Sequence, residues 1–152
     1  MPYVVEVDQS GKMGAKGPTA LAFSDGIDYK ILIPASVKRE CIEALRLRGR
    51  TGKVFYLQLF SAALFLLLED HIGQVSLVTI DLEYPSKDRH VKEFLLNLFA
   101  RAGRRVPAEV IRFDRIGRQS NAHKKALATF RGKAKPDRVI TTEDLLEQLG
   151  MK

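Results

Sequence analysis

Two short acidic stretches carry most of the chemistry in this chain: VEVDQSGK at residues 5 to 12 and TIDLEY at residues 79 to 84. Each alternates apolar and acidic side chains, so Glu6 and Asp8 share one face of a strand, and so do Asp81 and Glu83. Two carboxylates brought to neighbouring strand ends repel each other unless a cation or a base lies between them. Hard divalent cations take carboxylate oxygens of this kind. A solvated strand edge is the alternative for either stretch alone. A third group, His123, falls in the first turn of a basic helix after Ser120. The helix dipole there keeps an imidazole neutral and able to bind metal. His123 also shares a face with Ala126, Leu127 and Phe130, which by itself favours a packed core histidine.

The elements that would position these groups follow from periodicity and turn chemistry. Residues 3 to 8, 19 to 24 and 29 to 33 read as three strands of an antiparallel meander, with Asp25-Gly26 as a hairpin signal. A helix over 35 to 48 opens after Pro34 and closes at Gly49, and an apolar helix follows at 53 to 69. VSLVTIDLEY, 75 to 84, reads as a strand covered on both faces. Ser86 is placed to cap an amphipathic helix at 87 to 101, and residues 109 to 114 form a fifth strand. Ser120 caps a helix to about 131. Thr141 with Asp144 resembles a capping box opening a short acidic helix at about 142 to 149. The order is β-β-β-α-α-β-α-β-α-α in one domain, 1 to 152. Helical crossovers make the strand at 75 to 84 parallel to its sheet neighbour. If that neighbour is the first strand, Asp8 and Asp81 stand side by side at two carboxyl ends, where α/β sheets commonly bind ligands.

Charge points to a polyanion. The chain of 152 residues carries a net +7, and residues 101 to 138 hold 12 Lys and Arg against 3 Asp and Glu. A second basic group comprises Lys38, Arg39, Arg46, Arg48, Arg50 and Lys53. Phosphate contacts with counterion release are the expected use, and a solvated basic surface is the alternative. The loop SGKMGAKG lacks the GxxxxGK[ST] spacing and lies between two strands, so it is not a phosphate-binding P-loop. It reads as a mobile basic hairpin loop whose Lys12 and Lys16 can touch a phosphate. A single cysteine, Cys41, and no signal-like start favour a reducing, cytoplasmic setting. The apolar run at 54 to 68 is fifteen residues, short of the ~20 a bilayer span requires.

Taken in order, these elements and motifs resemble the ribonuclease H-like superfamily, especially type 1 ribonuclease H. Asp8-Gln9-Ser10 is similar to the family's Asp-x-Ser at the end of the first strand. TIDLEY resembles its fourth-strand Asp-x-x-Tyr, on Asp81 and Tyr84. IGRQSNAHKKA resembles a late Gly…Asn-x-x-Ala-Asp…Ala segment, on Gly117, Ala122 and His123. The similarity spans roughly residues 3 to 131. It implies a five-stranded mixed sheet of order 3-2-1-4-5 with helices on both faces, and a centre for Mg or Mn held by acids. Two of those acids are Asp8 and Asp81. The resemblance puts Gln58 where the family has a helix Glu, and His123 where it has a final Asp. The helix at 35 to 48 is additional, so Glu40 or Glu43 is another way to supply the missing acid.

The implied function is metal-dependent hydrolysis of nucleic-acid phosphodiesters by Asp8, Asp81, Gln58 and His123, with Asp8, Asp81 and His123 on the metal. Lys12, Arg118, Lys124 and Lys125 would hold phosphates. Two cations about 4 Å apart require several anionic oxygens. Glu6 and Glu83, on the same strand faces as the aspartates, are the available compensation. The alternative from another class is a catalytically impaired nucleic-acid-binding module. A third is an assembly protein that docks through its acidic tail helix.

Overall fold

A computed structural model of the chain describes residues 2–50, 52 and 54–151. Lys53, counted in the second basic group and at the expected start of the apolar helix, lies outside the described residues. The elements are β1 (Tyr3–Ser10), β2 (Thr19–Ser24), β3 (Tyr29–Ile33), α1 (Ala35–Leu47), α2 (Val54–Leu68), β4 (Val75–Asp81), α3 (Asp88–Arg101), β5 (Ile111–Asp114), α4 (Asn121–Phe130), β6 (Arg138–Val139) and α5 (Thr142–Gln148).

The strands form one mixed sheet in the order β5-β4-β1-β2-β3-β6. β1, β2 and β3 are an antiparallel meander, while β4 lies parallel to β1 and β5 parallel to β4. The sheet has six strands, not the five expected. The sixth, β6, pairs parallel with β3 over two residues. Asp137 anchors it, accepting the Lys30 N–H at 2.8 Å and donating its own N–H to the Lys30 carbonyl at 2.8 Å. A two-residue strand has no alternation to read, which is why the sequence pattern passes over it.

The strands bury two different faces. Val5, Val7, Leu21, Phe23, Ile31 and Ile33 join one large apolar core with α2, α3 and α5. Twelve of the fifteen α2 residues are buried, as expected of a helix that is apolar all round. Full burial of each Leu or Phe contributes about 2 kcal/mol. Ser61, buried within it, donates to the Leu57 carbonyl (2.8 Å) and faces the Val91 carbonyl (3.3 Å), joining α2 to α3. The opposite face presents Asp8, Ala20 and Ala22, all buried, and receives α4 through Ala122 and Ala126. Small residues on both sides bring α4 close enough for a side chain from its first turn to reach β1. Among the described residues no helix is long and apolar enough to cross a membrane.

Two local expectations are corrected. β4 ends at Asp81 rather than 84. The chain then makes a turn in which the Lys87 N–H donates to the Tyr84 carbonyl (3.0 Å), with Pro85 second and Ser86 third at φ 68°. Ser86 is therefore a turn residue and not a helix cap, and α3 begins after Lys87 without a side-chain cap. Elsewhere the capping signals hold. The Ser120 hydroxyl accepts from the Ala122 N–H, and Thr141 and Asp144 form the reciprocal capping box.

Candidate metal centre

β1 and β4 run side by side with Val7 opposite Ile80, which carries Asp8 and Asp81, one residue on, to neighbouring positions on one face. Past Asp81 the chain bends at once: the Glu83 N–H donates to the Asp81 carbonyl at 2.9 Å. This tight bend, followed by the Pro85-Ser86 turn, keeps Glu83 beside the aspartates instead of continuing the strand away from them. Asp8, Asp81 and Glu83 each offer a carboxylate oxygen, and these lie within 4.8 Å of one another. Asp8 is buried; Asp81 and Glu83 are half-buried.

Hydrogen bonds fix two of the three acids. Asp8 Oδ1 accepts from the Gln9 N–H (2.8 Å), and its Oδ2 lies 2.7 Å from His123 Nδ1. A neutral imidazole donating from Nδ1 to an ionised Asp8 keeps its Nε2 lone pair. Asp81 Oδ1 accepts from the Ile116 N–H at 3.0 Å, so the loop after β5 orients that carboxylate. The next strand repeats the pattern, with Asp114 in register beside Asp81. Asp114, however, turns outward to Arg112 and to the Arg115 N–H.

Two acids of the cluster, Asp8 and Glu83, hold a proton more tightly than free carboxyls do. Burial pushes the Asp8 carboxyl above its ordinary range. The Gln9 N–H and His123 oppose that rise, and the Asp81 charge adds to it. Burial also raises Glu83, reinforced by Asp81 and Asp8 and opposed by Lys12 and His123. Carboxylates raised by one another are what a shared cation relieves. Three convergent carboxylates form a hard oxygen set that fits Mg or Mn.

His123 reaches the cluster as the partner of Asp8 and is not one of the convergent group, so the structure seats it behind Asp8 rather than within the cluster. Gln58 goes elsewhere. It accepts from Arg50 Nη1 at 3.4 Å and lines a cleft with Phe94, Asn97, Arg101 and Gln148. The opposite side of α2, at Phe60, is the one that meets Tyr84, with ring centroids 5.1 Å apart. Neither alternative acid replaces it, since Glu40 accepts from the Thr142 hydroxyl (2.6 Å) and Glu43 lines a separate cleft beside α1. The third acid is Glu83. Its spacing of two from Asp81 was the available signal, but the bend that turns it inward was not legible.

Of the basic residues, Lys12 is exposed on the loop after β1, and its charge acts on Glu83. Arg118 and Lys124 are exposed near the start of α4. Lys125 is held by Asp28, Nζ to Oδ2 at 3.1 Å. Lys38 leaves the surface group altogether, being buried, with its Nζ donating to the carbonyls of Lys12 (2.9 Å), Ala15 (2.8 Å) and Gly17 (2.8 Å). The loop read as mobile is thus clamped by an ammonium from α1. Comparison of the chain with protein-family models, curated proteins and solved structures found no match.

Proposed function

We propose that the chain is a ribonuclease H-like, metal-dependent nuclease that hydrolyses nucleic-acid phosphodiesters. The observation that carries this reading is the convergence of Asp8, Asp81 and Glu83 at the carboxyl ends of adjacent parallel strands. The α/β architecture with a mixed sheet supports it. A bound Mg or Mn would supply water activation and stabilisation of the leaving oxygen. Asp8, Asp81 and Glu83 would hold the ion. His123 would keep Asp8 oriented and offer Nε2 as a proton acceptor, while Lys12, Arg118 and Lys124 would neutralise backbone phosphates.

A non-catalytic nucleic-acid-binding module is the second reading. It is favoured by one observation: Gln58 sits away from the cluster and α2 contributes no acid to it. Labelled RNA, DNA and RNA–DNA hybrid incubated with Mg or Mn separate the two. Metal-dependent cleavage of any of them supports the nuclease. Binding of intact strands with no cleavage in either metal supports the module.

A further inference from the structure

A basic cleft lies between the Gly-rich loop that follows β1 and helix α1. Residues Gly14 to Lys16, the α1 residues Lys38, Arg39, Ile42, Glu43 and Arg46, and Tyr56 of α2 enclose a cleft of about 410 Å³. Lys16, Arg39 and Arg46 bring three cations to it against the single carboxylate of Glu43. None of these three cations forms an ion pair among the described residues. The clamp of Lys38 on three loop carbonyls fixes the loop side of the cleft before any ligand arrives.

The aromatic residue in the cleft is half-covered. Gly14 lies against the Tyr56 ring, and a Cβ built there would sit 3.6 Å from it in ordinary contact. The backbone at Gly14 does not need glycine, because it is absent from the positive-φ residues. The Tyr56 ring packs on Phe55, with centroids 4.1 Å apart, and the missing side chain at Gly14 leaves room beside the rest of it. Free cations beside an accessible aromatic face are the chemistry that holds a single nucleic-acid strand, with phosphates on the cations and a base stacked on the ring. The same loop runs from Lys12, whose charge acts on Glu83 and whose carbonyl is held by Lys38 of the cleft, to Lys16, so one strand can follow it from the acids to α1.

We infer that this cleft is a single-strand subsite in which Lys16, Arg39 and Arg46 hold backbone phosphate and Tyr56 stacks a base of the strand whose phosphodiester lies at the acidic cluster. The inference deepens the nuclease reading and rests on it for the identity of the polyanion.

The test is fluorescence anisotropy of a short labelled single-stranded oligonucleotide in EDTA, where cleavage plays no part. Arg39→Gln with Arg46→Gln should weaken binding and lower the slope of log K against log salt by about 2. Tyr56→Leu should weaken it about tenfold with the slope unchanged. Gly14→Ala, which covers the ring without altering charge, should move affinity in the same direction as Tyr56→Leu. Arg89→Gln with Lys92→Gln on α3 removes equal charge away from the cleft and serves as the comparison.

Affinity and slope equal in the α1 and α3 double variants, or Tyr56→Leu binding like the native chain, would overturn the subsite. A mononucleotide bound as tightly as the strand would overturn it in favour of a small-molecule site. If the cleft variants lose binding while the native chain cleaves nothing in Mg or Mn, the subsite stands and the nuclease reading fails. If the native chain cleaves and these variants bind and cleave as it does, the reverse holds.

Discussion

Asp8 is 5% exposed and its carboxylate has a hydrogen-bond partner on each oxygen, yet burial still raises its proton affinity. Glu83 is raised by the same cause and by its acidic neighbours. Both groups bind a proton more tightly in the folded chain than in the unfolded one. By linkage, stability is lost as pH rises from their ordinary values of 3.8 and 4.5 through the raised folded values. In EDTA at neutral pH, Glu83→Gln should therefore melt higher than the native protein, and the gap should shrink towards pH 4. Equal melting temperatures at pH 7 would count against an uncompensated cluster. His123→Asp makes the converse change, replacing the partner of Asp8 with a like charge. It should cost about 3 kcal/mol in EDTA by denaturant titration, with manganese restoring much of the loss. A loss that manganese leaves untouched would show the position is core alone. At this scale the sequence made Asp8, Asp81 and His123 legible, because strand period and a helix cap fix where they point. Gln58 was misplaced because α2 is apolar all round and offers no polar face to set its rotation.

Among the elements, the loop between β1 and β2 depends on residues far from it in sequence. Lys38→Met keeps the volume but removes the ammonium from three carbonyls, of which, among the described residues, only that of Lys12 keeps another donor, the Ala15 N–H. A loss of about 2 kcal/mol and faster hydrogen exchange at the amides of residues 13 to 17 are expected. Protection unchanged from the native chain would mean the loop holds itself. Gly11, at φ 81°, closes the end of β1 where a Cβ would overlap both the Pro18 carbonyl and the Phe130 ring. Gly11→Ala should destabilise by more than about 2 kcal/mol in denaturant melts, from strain in both the turn and the seat of α4. The meander, the caps at Ser120 and Thr141 and the parallel entry of β4 were readable from alternation, Gly and Asx/Ser signals, since those are local, whereas Ser86 carried the same signal and proved a turn residue. The Lys38 clamp was hidden, because a lysine in a run of basic residues carries no mark of burial. The bend after Asp81 was hidden for a related reason, as LEY continues the alternation of the strand before it.

For the whole molecule, the net charge of +7 and the sheet topology bear on one question, whether a nucleic acid is brought to the acidic strand ends. Binding to single-stranded DNA or RNA should weaken steeply with salt, with modest sequence preference. Affinity that holds constant between low and high salt would contradict a phosphate-led interface. The succession of elements made β4 parallel to its sheet neighbour, because a helical crossover leaves few ways to lay a parallel strand, and the family resemblance made β1 that neighbour. It did not reveal β6, which is held by Asp137 and by pairing to β3 and has no pattern of its own. All of this turns on the cation. Titration of manganese into the native protein and into Asp81→Asn, followed by the electron paramagnetic resonance signal of the free ion, decides it. The native chain should bind manganese saturably and Asp81→Asn should bind it more than about tenfold more weakly. Absence of saturable binding in the native chain, or equal binding in both, would show that Asp8, Asp81 and Glu83 do not form a metal centre.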